Sequence, residues 1–206
     1  MKKFTLVSLV AAAAFATTAA FTANSVSADT TTTDGTISFT AQKGDDGKTD
    51  KDVTLDAAPT VDFGSQTIDT SAQTYTTKSI SSPITVTNPG INAGWTTTVA
   101  ATDFTDGSTV LKGATLKLVS TPATAKDTTN KSTAPSVQTV TVNNKAQTIM
   151  SAADGTQGVG TWNDTLNGSD DAQTATSLYV PAGNVSGSYK ATLTWTLTNA
   201  PTGEDK

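Results

Sequence analysis

Three tryptophans, Trp95, Trp162 and Trp195, are the side chains with most to offer a ligand in this 206-residue chain. An indole face stacks on the C–H face of a sugar ring, and it packs equally well in an apolar core. Each tryptophan therefore has two readings. Trp195 and Leu197 share one face of an alternating segment with Leu193 and Tyr189, either as core residues or as an aromatic platform. Trp95 shares a face with Thr97 and Val99, and the same two readings apply. Trp162 sits in a polar, Gly-containing stretch beside Thr161, Asn163 and Asp164. It either plugs the end of the sandwich as a loop anchor or faces solvent as a stacking residue, and of the three it has the best claim to face solvent. Trp95, Trp162, Trp195 and Leu197 are thus the candidate ligand-binding residues.

Other chemistry is scarce. The chain has no His, no Cys and no Arg, and Glu204 is its sole glutamate. Without His it lacks the usual general base and the commonest metal ligand. Without Arg it lacks the bidentate reader of phosphate and carboxylate. Without Cys it cannot use disulfides and must rely on packing and sheet hydrogen bonds. The clusters Asp45-Asp46-Asp50-Asp52 and Asp170-Asp171 offer oxygen ligands, but neither follows the spacing of a calcium loop, and both read as solvated loops. No carboxylate pair stands out as the acid and base of a glycan hydrolase. No catalytic residue, metal or cofactor is expected. Lys112, Lys117, Lys126, Lys131, Lys145 and Lys190 alternate with Thr on outward faces, serving solubility or weak, salt-sensitive contact with phosphates.

The elements that position these residues are strands. Thr makes up roughly a fifth of the chain, and β-branched residues favour strands. Lys2-Lys3, the apolar run Phe4–Ala20 and Val26-Ser27-Ala28 form the three parts of a secretory signal peptide, residues 1–28. Its core is short for a span of about 20 residues, so no membrane insertion of the mature chain is expected. Removing Lys2 and Lys3 takes the net charge of −5 to about −7, a poor match for nucleic acid. Residues 29–36 read as a disordered polar arm, 37–202 as a single β domain, and 203–206 as a charged stub.

Within that domain Ile37-Ser38-Phe39 and Val53-Thr54-Leu55 read as a hairpin with a long charged tip. Ile84–Val86, Trp95–Val99 and Leu178–Val180 read as strands, and Val110-Leu111 with Leu116–Leu118 as a hairpin. Thr121–Pro135 reads as a surface loop. Val137, Val140 and Val142 read as one strand, turned by Asn143-Asn144 onto Gln147–Met150. Asp154–Asp171 reads as a loop, and Tyr189–Leu197 as the last strand. Short strands separated by turns imply an all-β, antiparallel β-sandwich, Ig-like or Greek-key-like, with long polar loops and essentially no helix outside the signal peptide.

The order of these pieces resembles a known family, the WxL domain of surface proteins from low-GC Gram-positive bacteria such as lactobacilli and enterococci. Val61-Asp62-Phe63-Gly64 resembles its early Asp-Phe-Gly element. Ile84-Thr85-Val86 with Gly94-Trp95 resembles its first Trp motif, and Leu111–Leu118 the hairpin after it. Gly155–Gly160 resembles its Gly-rich loop, and Tyr189–Leu197 with Ala200-Pro201 its C-terminal signature. One departure is Thr97, where the family has Leu. The resemblance implies a secreted, extracellular protein, cell wall-associated through non-covalent attachment to peptidoglycan or another cell-wall polymer, with other surface proteins as further partners. The rival readings are an adhesin or assembly subunit that binds a partner surface protein, and, more distantly, a secreted glycan hydrolase.

Overall fold

The computed structural model describes residues 35–40 and 52–199. Its strands in chain order are β1 (Thr54–Ala57), β2 (Val61–Asp62), β3 (Gln73–Thr76), β4 (Ser79–Ile80), β5 (Ile84–Asn88), β6 (Trp95–Ala101) and β7 (Thr115–Leu118), then β8 (Thr124–Ala125), β9 (Ser136–Val137), β10 (Val140–Val142), β11 (Gln147–Ala152), β12 (Gly160–Asp164), β13 (Ser177–Val180) and β14 (Leu193–Asn199). No helix occurs among the described residues. The strands form three four-stranded sheets, ordered β1-β5-β12-β8, β10-β7-β13-β3 and β14-β6-β11-β9, with a β2-β4 ribbon beside them. Every strand pair is antiparallel. The fold is the antiparallel β-sandwich that the Thr-rich alternation implies.

The alternation places the core. In β6, Trp95, Thr97, Val99 and Ala101 are buried while the residues between them are half-buried. In β5, Ile84, Val86 and Asn88 point inward. The apolar ones among them, Trp95, Val99, Ala101, Ile84 and Val86, join Leu116, Leu118, Ile149, Met150 and Trp162 in one cluster. Adjacent Ile149 and Met150 are both fully buried because the β11–β6 register slips between Thr148 and Met150. A bulge of this kind lets two successive residues face one side.

The loops close with polar side chains instead of disulfides. Asp69, Asp106, Asp127, Asn130, Asn143 and Asn167 each accept the backbone N–H of the residue two positions on. These are Asx turns, which explain the density of Asp and Asn between strands. Asn88 extends the device into the core. Its Oδ1 accepts from the Gly90 and Ile91 amides at 3.0 and 2.7 Å, and its Nδ2 donates to the Ile91 carbonyl at 3.0 Å.

Several sequence expectations need correction. Ile37-Ser38-Phe39 forms no strand, and β1 pairs with β5 rather than with it. The Val110-Leu111 hairpin is absent: β7 pairs with β10 and β13, and Val110 bridges Thr105. Val137 and Val140 belong to different sheets, so the chain crosses over between them. β11 accordingly pairs with β6 and β9 instead of folding back on β10. The Thr121–Pro135 loop carries β8, and the Asp154–Asp171 loop carries β12. The last strand begins at Leu193; Lys190 makes a separate bridge to Thr105. The signal segment 1–28, the arm residues 29–34, most of the charged tip 42–52 with Asp45, Asp46 and Asp50, and residues 200–206 lie outside the described residues. The chain divides into a unit Met1–Ser38 and a unit Phe39–Lys206, and all the sheets belong to the second.

Candidate functional site

β14 runs along β6 for its full length. Trp195 lies opposite Val99, Leu197 opposite Thr97, and Asn199 opposite Trp95. Trp95 and Trp195 therefore share a face of neighbouring strands but sit four residues out of step, about 13 Å at the strand rise. They form neither a stacked pair nor a joint platform. Trp95 is 1% exposed. The Gly-rich loop closes over it: a Cβ built on Gly158 would lie 3.0 Å from both Cζ2 and Nε1 of the indole and 2.6 Å from the Ala152 Cβ. Gly158 also has a φ of +67°, which only glycine adopts freely. The first Trp motif and the glycine loop are thus one packing unit.

Of the two readings of Trp162, the structure excludes the solvent-facing ring, and it places the residue in a strand where the sequence reads a loop. It lies in β12, opposite Val86 on one side and Ala125 on the other, and is 5% exposed. Its Nε1 donates to the Val159 carbonyl at 2.9 Å. Trp195 and Leu197 are different. Both pack against the core yet stay half-buried, because β14 is the edge of its sheet. Of the four candidates, these two keep access to solvent.

A feature missed at the level of the sequence lies beside the start of β14. An open cleft of about 650 Å³ has half-buried aromatic rings at Phe63, Tyr75, Phe104 and Tyr189. Leu116 and Leu178 form its floor, and Leu193 reaches it from β14. One wall is the segment after β2. There Asp62 Oδ1 accepts the Gly64 N–H at 2.8 Å, and Gly64 turns the chain with a φ of +66°. Tyr75 holds that wall by donating its hydroxyl to the Thr67 carbonyl at 3.3 Å. The opposite wall is the segment Val185–Ser188, held by the Tyr189 hydroxyl on the Val185 carbonyl at 2.9 Å. The signals were present in pieces, since Phe63 stands in the Asp-Phe-Gly element and Tyr189 begins the last alternation. Nothing in the spacing brings them together.

The charges are arranged for structure. Asp164 is fully buried at the end of β12, where its Oδ2 accepts from the Ser120 hydroxyl at 2.8 Å and its Oδ1 has no partner. Burial pushes its carboxyl up to about 6, against the opposing pull of Ser120. Asp69, Asp106, Asp127 and Asp171 are held below the ordinary carboxylate value, chiefly by the backbone N–H groups they accept. Asp171 accepts from the Gln173 amide and the Thr174 hydroxyl, and the Lys117 ammonium donates to the Ala172 and Gln173 carbonyls beside it. Among the described residues no group of three or more acidic side chains is placed to hold a metal ion.

The fold and the cleft together define the class as an all-β antiparallel sandwich without disulfides, with an open aromatic cleft at one side. The chain matches the family described as WxL domain surface cell wall-binding over residues 26–201, and it belongs to that family. The resemblance read from Trp95, the glycine loop and Tyr189–Leu197 is borne out. This is a family of surface domains that bind the cell wall, not a family of enzymes, and it places the protein at the cell wall outside the cell. No curated protein and no solved structure matches the chain.

Proposed function

We propose that the protein is exported by its N-terminal segment, carries out no catalysis, and holds non-covalently to peptidoglycan through this domain. The cleft carries the reading: it is the place where several rings remain half-open together, and its size falls within the usual range of about 300–1,000 Å³ for ligand sites. Among the described residues Asp62 is the single carboxylate lining it, whereas glycan hydrolysis takes an acid and a second carboxylate. Trp195 and Leu197 extend the exposed apolar surface along the same strand that supplies Leu193. Trp95 and Trp162, being buried, serve as supports. The test is a pull-down of residues 29–206 on sacculi stripped of protein and teichoic acid, with a salt titration. Saturable binding that persists at high salt is expected, because the cleft has little charge to screen.

A second reading, an adhesin or assembly subunit, rests on β14. This seven-residue strand has no strand on its outer edge among the described residues. An unpaired edge can accept a strand from another surface protein. Absence of binding to bare sacculi, with recovery on adding a partner, would select it.

A further inference from the structure

We propose that the cleft between the Phe63–Ile68 and Val185–Ser188 segments takes a short run of an uncharged, N-acetylated glycan, an inference that rests on the wall-binding reading and names the part of the wall that is held. Charge is the first argument. Among the described residues Asp62 and Lys190 are the only charged ones lining the cleft, with the Asp106 carboxylate beside its Gly187 wall, so it carries little charge and no group of cations. A phosphate-bearing polymer would meet no cluster of cations there. A peptide would bring carboxylate and ammonium groups needing counter-charges. One carboxylate oxygen of Asp62 is already engaged by the Gly64 amide.

The second argument is surface chemistry. Tyr75 and Tyr189 each spend their hydroxyl on a backbone carbonyl of a wall. That orients the rings and holds the walls apart without a ligand, so little ordering remains to be done on binding. Gly187 allows the backbone to lie against one ring, since a Cβ there would sit 3.0 Å from Tyr189 Cε2. Aromatic faces beside an aliphatic floor of Leu116 and Leu178 match a sugar that has both a C–H face and a methyl group, which is what an acetamido substituent adds. Exposed Ser65, Ser186 and Ser188 on the rims supply hydroxyls to neutral partners.

The exported chain is titrated with the β-1,4 tetramer of N-acetylglucosamine, followed by calorimetry and by amide shifts in NMR spectra. The comparison ligand is the glucose tetramer, which keeps the linkage and lacks the acetamido groups. Saturable binding of the acetylated tetramer is expected, with shifts centred on Phe63–Ile68 and Val185–Tyr189 and affinity at least about tenfold above the glucose tetramer. Tyr189→Ala should weaken binding by about tenfold or more. Ser65→Arg, on an exposed wall residue, should do the same with an unchanged melting temperature. That second variant keeps the test valid if Tyr189→Ala loosens the wall. Retained binding to sacculi without saturable binding of the tetramer, or with shifts elsewhere, overturns this inference and leaves the wall reading standing. Tighter binding of glycerol phosphate or of a stem peptide than of the tetramer also overturns it. Loss of binding to both sacculi and tetramer overturns the two together.

Discussion

At Thr97 a hydroxyl is held between Leu197 on β14 and Met150 on β11, fully buried and without a hydrogen-bond partner. A buried, unsatisfied hydroxyl costs about 1–3 kcal/mol. Leu at this position, as the WxL resemblance leads one to expect, would carry no such cost. Thr97→Val keeps the shape and removes the hydroxyl, so it should raise unfolding stability by about 1–2 kcal/mol. Urea unfolding at neutral pH measures it; a loss of stability would mean that the hydroxyl has a partner in solution. Its neighbour on the facing strand makes a contrasting case. A fully buried Trp is worth about 3–5 kcal/mol against Ala, but Trp195 is half-buried at a sheet edge. Trp195→Ala should therefore cost about 1.5–3 kcal/mol. If the ring also touches the wall, the folded variant should bind sacculi more weakly than Thr97→Val does.

The elements show which features could be read from the chain. Gly158→Ala tests the packing of the glycine loop on β6. The substitution must both abandon a φ of +67° and push a methyl group into Trp95 and Ala152. The expected cost is about 2–4 kcal/mol, with a red shift of Trp95 fluorescence if the loop lifts away. Equal stability would detach the loop from the indole. β5 and β6 were legible because Ile84 and Val86, and Trp95 and Val99, alternate with Thr, and β13 because the apolar run Leu178-Tyr179-Val180 stops at Pro181. β12 was not: five residues flanked by glycine, with Asp164 buried where an exposed carboxylate would be expected, read as a loop. Reading it as a loop also left open whether Trp162 faces solvent. β8 and β9 are two residues each, too short to show a period. Pairing was the least legible level. β6 lies between β14 and β11, and β5 between β1 and β12, partners set by which faces fit rather than by neighbouring turns. The cleft rests likewise on β3, β13 and β7 lying side by side, so its four rings could not be gathered from spacing alone.

For the whole molecule, two sets of carboxylates pull the pH dependence in opposite directions. Asp164 is raised to about 6 from an ordinary 3.8 by burial. Between those values the folded chain binds a proton that the unfolded chain does not, so stability rises as pH falls from about 6 towards 4. Above about 6 that contribution is gone, because the folded state must then hold a buried carboxylate with one unpartnered oxygen. A two-unit shift corresponds to about 3 kcal/mol, reached in full only below the unfolded value. Asp69, Asp106, Asp127 and Asp171 act the other way. Their folded values are depressed, so what they contribute is present above the ordinary value and is lost as pH falls below about 4. The two slopes meet in a stability maximum near pH 4–5, an acid optimum for a protein with no His to titrate. Lower net charge near the isoelectric point of about 4.5 adds to the same trend by reducing self-repulsion, so the wild-type profile alone does not identify the residue responsible. Asp164→Asn does, because it keeps an acceptor for Ser120 and cannot ionise. Urea unfolding should give wild-type protein about 2–3 kcal/mol more stability at pH 4.5 than at pH 7.5, and most of that difference should vanish in Asp164→Asn. An unchanged pH slope in the variant would assign the acid optimum to net charge and mean that Asp164 carries the same protonation in the folded and unfolded states.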